Sequence, residues 1–438
     1  MSPDAARRIL LVQAPIGERQ RRVFPLSLSV LAAGLNGHEV RGYDPNMDDG
    51  YPRSFESLLA EFAPDIVGIS FRNLDTTRSY HPRSYLPALE DLVRRTRRTC
   101  GGCTIALGGT GFSMFPEAIL RRIPAVDVGF PLEADLSFPA FVRAPSFPPQ
   151  VPGILYREGG EIRSTGDAER PGGDDIHSPR FDLFPVDRYA AEGDDAVGLE
   201  TKRGCDQACF YCAYPIVSGR RARTKPVAQI VAEFEELARR SVRGFFWVDS
   251  VFNHPSEHAV EVCEALRASA APVRWGANFA ERGGDDSFWR RAYEAGCRLF
   301  VFSPDGISEA ATHAMHKPIS WGLQRSVYRR IATLDGATMH VSFLAGAPGE
   351  RWSDWLAFAR RVAFLVVRCR CFSIGLSFIR IYPGTGVYDA AIAQGLIAAD
   401  DDLLIPKYYE PAPSFWMRFV FHPGYRLITF LLRLRRTL

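Results

Sequence analysis

Cys205, Cys209 and Cys212 stand in the stretch Thr201-Lys-Arg-Gly-Cys-Asp-Gln-Ala-Cys-Phe-Tyr-Cys-Ala-Tyr-Pro215, separated by gaps of three and two residues. Cuboidal iron–sulfur clusters are held by cysteine thiolates, one to each iron. Three thiolates serve three irons and leave the fourth open to a ligand from elsewhere. Such a centre can do chemistry as well as pass electrons. The competing reading is three cysteines on one face of a buried helix, because offsets of four and seven are helical. Gly204, Asp206 and Gln207 make a poor core helix and weigh against it.

The other cysteines offer less. Cys100 and Cys103 form a CxxC around two glycines, but structural zinc needs four ligands and no second pair lies at matching spacing. Cys369 and Cys371 flank a single arginine, and two ligands cannot build an auxiliary cluster. Nine cysteines, clustered and odd in number, suit a reducing compartment with a metal site better than a disulfide scaffold. The chain has 438 residues, 46% of them hydrophobic, and a formal net charge of +3, which gives no general case for nucleic-acid binding. The early apolar run Ile9–Val12 is too short for a signal peptide, and no stretch approaches a membrane span. The expected location is cytoplasmic.

The elements that must position the cysteines fall into two blocks. From residue 8 to about 130, strand patterns (Ile9–Gln13, Val40–Asp44, Asp65–Ser70, Thr104–Gly108, Ala125–Gly129) alternate with helical ones (Leu26–Asn36, Ser54–Phe62, Ser84–Arg98, Phe115–Arg122). Alternation of this kind predicts a Rossmann-like parallel sheet with helices on both faces, with ligands beyond the carboxyl ends of the strands. Those ends carry Asp44 and Asn46, Ser70 and Arg72, and Gly108 and Gly109: hydrogen-bonding side chains, and glycines that admit close backbone approach. Residues 156–178 have linker or surface-hairpin composition. The second block repeats a strand–helix unit six times, its strands expected at Val197–Thr201, Phe245–Asp249, Arg274–Phe279, Arg298–Ser303, Met339–Gly346 and Ser373–Arg380. Right-handed crossovers would close these into a partial (β/α)6 TIM-type barrel, with the cysteine loop at the carboxyl end of its first strand. The expected division is an α/β domain at 1–150, a linker at 151–190, the barrel at 191–400 and a C-terminal helical segment at 401–438.

The cysteine spacing closely resembles that of the radical S-adenosylmethionine (radical SAM) enzymes, whose core is a partial barrel of six units. The first block resembles the cobalamin-binding domain that precedes many of them, through Pro25-Leu-Ser-Leu-Ser-Val-Leu-Ala-Ala, Pro64-Asp-Ile-Val-Gly-Ile-Ser70, Leu107-Gly-Gly109 and Gly129-Phe-Pro-Leu-Glu133. One departure stands out. The Asp-x-His-x-x-Gly motif that supplies cobalt with a lower histidine is absent, since Pro45 and Asn46 follow Asp44, and neither His38 nor His81 fits it. The resemblance implies cobalt without a lower His ligand, with Arg72 or Asn73 placed to approach that face. It further implies a 4Fe-4S cluster on Cys205, Cys209 and Cys212, and SAM contacts from four positions. These are Tyr211 beside the adenine, Asp249 at the methionine amino group, Asp305 in place of the family's glutamate, and Gly346 in the fifth-strand glycine motif.

The chemistry implied is reductive cleavage of SAM to a 5′-deoxyadenosyl radical and, with cobalamin bound, methylation of an unactivated carbon in a natural-product or lipid substrate. Oxidative cyclisation or rearrangement without methyl transfer uses the same domains and is the alternative. An external electron donor of flavodoxin or ferredoxin type is expected. His313 and His316 are too close along the chain to form a catalytic dyad and are read as local structural residues. Residues 415–438 carry five arginines, no acid and many large apolar side chains. That is the make-up of an interfacial helix on an anionic membrane, or of a lid packed over the active site.

Overall fold

The computed structural model describes residues 6–16, 21–77, 79, 82–269, 271–369, 373–411 and 414–417. His81, Cys371 and residues 418–438 lie outside the described residues.

The first sheet contains β1 (Arg8–Gln13), β2 (Glu39–Tyr43), β3 (Ile66–Ser70), β4 (Thr104–Gly108), β5 (Val128–Gly129), β6 (Leu155–Glu158) and β7 (Glu161–Ser164), in the order β2-β1-β3-β4-β5-β6-β7. Its first five strands are parallel. Central parallel strands are covered on both faces and so read as unbroken apolar runs. Ile9, Leu10, Leu11 and Val12 are fully buried, and every residue of β3 is buried. The covering helices bury one stripe each. In Leu86–Thr99 this is Leu86, Leu89, Leu92, Val93 and Thr96, at helical spacing. The strand order reverses at β1, which sets the ligand crevice between the ends of β1 and β3.

The stretch read as a linker or surface hairpin contains a hairpin. Its hairpin β6–β7 pairs antiparallel with β5 and extends the first sheet. Phe24 then packs against Phe181 and Tyr189, with ring centroids 5.8 and 5.7 Å apart. Glycine at position 42 is required there, since a Cβ would fall 2.7 Å from Leu183 O.

The second sheet holds β8 (Gly198–Leu199), β11 (Gly244–Trp247), β12 (Arg274–Phe279), β13 (Cys297–Gly306), β14 (Thr338–Ala345), β15 (Ser373–Arg380) and β16 (Tyr408–Tyr409). Between β8 and β11 the chain makes a small antiparallel ribbon of β9 (Lys202–Arg203) and β10 (Arg223–Thr224). All six expected strands are present, parallel and adjacent in chain order. Strand β16, which the sequence pattern did not suggest, adds antiparallel to β15. The core beneath is aromatic: Phe279 stacks on Phe300 at 5.2 Å and meets Trp289 edge-on at 5.7 Å. Among the described residues no helix is long and apolar enough to cross a membrane.

Candidate active site

The cysteine loop begins at Gly204, whose φ of +85° and lack of a Cβ are both needed, because a side chain would overlap Arg221 O. Its N–H donates to Ser218 Oγ at 3.1 Å, and Cys205 N–H donates to Gly219 O at 3.0 Å. Further along, Phe210 N–H reaches Met315 O at 3.1 Å, and His316 Nδ1 lies 3.2 Å from Ala208 O. His316 therefore braces the loop, as a local structural residue. Cys205 is buried, while Cys209 and Cys212 are half-buried.

Burial pushes the Cys209 thiol up to about 11, with Lys317 opposing and Cys212, Asp305 and Cys205 adding to it. Cys212 is raised by burial too. Iron must displace these protons to bind. Among the described residues no three His, Cys, Asp or Glu side chains converge as one metal ion demands. A cuboidal cluster takes one thiolate per iron, and the three cysteines lie on one loop.

Asp249, at the end of β11, is buried and spent. It accepts from Thr201 N–H at 2.9 Å, Thr201 Oγ1 at 2.6 Å and Lys202 Nζ at 3.3 Å. Its carboxylate pins the strand end from which the cysteine loop departs.

Across from the loop stands the end of β13. Its register with β14 slips between Phe302 and Asp305, a bulge that includes Pro304, and Asp305 emerges with a φ of +64°. Tyr211 Oη and Lys317 Nζ both donate to Asp305 Oδ2, and Lys317 Nζ also donates to Ser303 O at 2.9 Å. Desolvation disfavours the charged lysine, but Asp305 and the nearby Cys209 more than offset it and hold the ammonium charged. A cation is thus fixed beside the cysteines. Glu281, fully buried just past β12, accepts from Tyr328 Oη at 2.5 Å, and burial raises its pKa.

Gly346 has a φ of +97°, and a Cβ there would fall 2.5 Å from Tyr409 O. Glu350 turns back to accept from Gly346 N–H at 2.7 Å, Trp355 Nε1 at 2.9 Å and Ser414 Oγ. Tyr409 and Ser414 thereby close over the fifth-strand glycine loop.

A cavity of about 460 Å³ lies between the two sheets. Gln13, Ser70, Arg72, Gly108 and Gly109 line it from the first sheet. Tyr214, Val217 and Ser218, on the helix that follows the cluster cysteines, line it from the second block. Arg72 Nε is buried without a hydrogen-bond partner, and burial lowers the guanidinium's pKa against the pull of Asp44 and Tyr85. An unsatisfied buried N–H costs on the order of 1–3 kcal/mol, so a polar ligand here relieves the protein itself. Apolar Leu11, Leu28, Leu107 and Phe138 form the deeper wall. A large cofactor with a polar rim and an apolar body fits this lining.

Three of the expected contacts are otherwise engaged. Asn46 donates to Asp44 Oδ1 at 2.6 Å and Ala14 O at 3.2 Å, and Asp44 Oδ2 accepts from Tyr189 Oη at 2.6 Å. Asp44 and Asn46 clamp neighbouring loops and do not line the cavity. Glu133 does line it, but a two-pronged pair with Arg223 at 2.7 Å and a bond from Ser218 Oγ at 2.9 Å take up its oxygens. Gly109 lets its backbone close on Phe71, which lies within 2.9 Å of where a Cβ would be.

The clamps between blocks escaped the sequence reading altogether. Arg203 bridges Asp135 at 2.7 Å and Glu200 at 2.8 Å. Arg380 of β15 meets Asp75 at 2.6 Å, both buried. Nothing in the local spacing of either residue announces a partner 305 positions away.

Residues 199–362 match the radical SAM superfamily. An uncharacterised methyltransferase of Pyrococcus horikoshii is 25% identical over 405 residues, 89% of this chain and 84% of that protein. Cytidylyl-2-hydroxyethylphosphonate methyltransferase of Streptomyces wedmorensis is 24% identical, over 90% of this chain and 83% of its own length. The radical SAM methyltransferase TsrM of Kitasatospora setae, solved with cobalamin and a [4Fe-4S] cluster, shares the fold with a TM-score of 0.76. It is 21% identical, over 91% of this chain and 79% of that one. Residues 199–362 thus carry a radical SAM domain, with the cysteine loop at the end of its first strand, and a Rossmann-like sheet packs against it in the fold shared with TsrM.

Proposed function

We propose that the chain is a cobalamin-dependent radical SAM methyltransferase that delivers a methyl group to an unactivated carbon of a natural-product or lipid substrate. The observation that carries this reading is the shared wall: one short helix, Tyr214–Ser218, follows the last cluster cysteine and lines the cavity at the carboxyl ends of the first sheet. Two cofactor sites separated by a single helix suit a reaction that needs both. The methyltransferase relatives support the reaction class, and TsrM, solved elsewhere with tryptophan as substrate, supports a small-molecule one.

Cys205, Cys209 and Cys212 would hold the cluster. Tyr211, Asp305, Lys317 and the Gly346 loop would surround SAM, and Ser70, Arg72, Gly108 and Gly109 would surround the corrinoid. When bound, these groups supply reductive sulfonium cleavage, hydrogen abstraction and a methyl carrier. The chain's own residues do the positioning. Lys317 and Asp305 fix opposite charges beside the open edge of the cysteine loop, where a zwitterionic amino acid group needs them. Glu350 locks the glycine loop, and Tyr409 and Ser414 pack against it. An external one-electron donor of flavodoxin or ferredoxin type completes the system.

Anaerobic reconstitution with iron, sulfide and hydroxocobalamin, followed by SAM turnover, tests the proposal. S-Adenosylhomocysteine together with 5′-deoxyadenosine and retained corrinoid is expected. 5′-Deoxyadenosine alone, without retained corrinoid, would overturn methyl transfer. Cys209→Ala is expected to abolish both the cluster absorption and SAM cleavage; cleavage that survives would refute the cysteine assignment.

A further inference from the structure

The helix Trp352–Phe364 and the π-helical turn Leu365–Cys369 that continues it have two unlike faces. Trp355, Phe358, Arg361 and Leu365 are buried against the second sheet. The opposite face presents Trp352, Leu356, Ala359, Ala363 and Val367, at spacings of four, three, four and four residues, all exposed. The three large ones are 57%, 56% and 63% exposed respectively. Beside this stripe the exposed charges are Arg351, Arg360 and Arg368. The segment's one acid, Asp354, is buried and accepts Arg351 N–H at 2.7 Å, so it offers no surface charge.

A second element of like character adjoins it. Ser414 Oγ donates to Glu350, two residues before the helix, and fixes residues 414–417 at this edge. Phe415 and Trp416 are 37% and 59% exposed there. The 21 residues that follow contain five arginines and no acid.

We propose that this face is a docking surface for an anionic lipid bilayer. An apolar stripe whose own exposed charges are all arginines is what lies in a membrane interface, where the side chains enter the headgroup boundary and the cations meet lipid phosphates. Charge selects this occupant over a second copy, which would oppose like with like. The surface stands independently of the reaction proposed above.

Co-flotation of the full chain with vesicles of phosphatidylglycerol and phosphatidylcholine, against phosphatidylcholine alone, tests it. Binding to the anionic vesicles only is expected. Trp352→Glu combined with Leu356→Glu should lower the partition coefficient about tenfold or more, since two buried apolar contacts become charges. Arg360→Gln with Arg368→Gln should weaken binding and blunt its dependence on salt. Both pairs are exposed, so an unchanged circular dichroism spectrum is expected. Hydroxyl-radical footprinting should modify Trp352 freely in solution and sparingly on anionic vesicles. Failure to bind, or equal binding by the first double variant, would overturn the proposal. So would protection of Trp352 without vesicles, which would assign the stripe to the chain's own tail or to a second copy.

Discussion

Lysine is scarce in this chain: only Lys202, Lys225, Lys317 and Lys407 stand among 53 basic residues. Three of them meet buried carboxylates, in Asp249 at 3.3 Å, Glu233 at 2.5 Å and Asp305. A compact ammonium enters where a planar guanidinium would not. That scarcity was the available signal for Lys317, which the sequence reading passed over while weighing His313 and His316 beside it. Lys317→Met is expected to leave Asp305 buried without a counter-charge and to cost about 2–3 kcal/mol in chemical unfolding. That is below the cost of breaking a fully buried pair, because the lysine is partly exposed. SAM affinity by equilibrium binding should fall as well, while iron content stays near that of the parent. Cys205, Cys209 and Cys212 were legible as candidate cluster ligands because three residues on one loop write their spacing into the chain. Asp249, Glu133, Asp44 and Asn46 were found as polar residues at strand ends. Whether such a side chain is open or spent depends on partners 48, 90 and 145 residues distant for Asp249, Glu133 and Asp44.

At the scale of elements, the six parallel strands and the helices between them follow from apolar period alone, whereas the departures come from pairing. Hairpin β6–β7 is polar on its outer strand, and its place in the first sheet depends on β5 offering a free edge. The slip in β13 is marked in sequence only by Pro304, yet it sets the backbone that presents Asp305. Gly204→Ala tests how far the cysteine loop depends on its entry turn. A methyl group there meets Arg221 O, and a φ of +85° is strained for any L residue. Iron per chain after reconstitution is expected to fall towards that of Cys209→Ala. Far-ultraviolet circular dichroism should be little changed, because the substitution lies outside both sheets.

For the whole molecule, the two sheets are joined by charge as well as by packing. Arg380→Met strands Asp75, which is fully buried, and is expected to cost about 3–5 kcal/mol in urea unfolding. Arg380→Met with Asp75→Leu should recover most of that loss, since no orphan carboxylate remains. The same ion pairs bear on how such enzymes can be recombined. A chimera that takes its first sheet from one relative and its second from another keeps every cysteine and glycine in register, yet marries each buried acid to a stranger's strand. Positions 75, 133, 135, 203, 223 and 380 have to be inherited as a set. Cutting the chain at its obvious midpoint divides that inheritance.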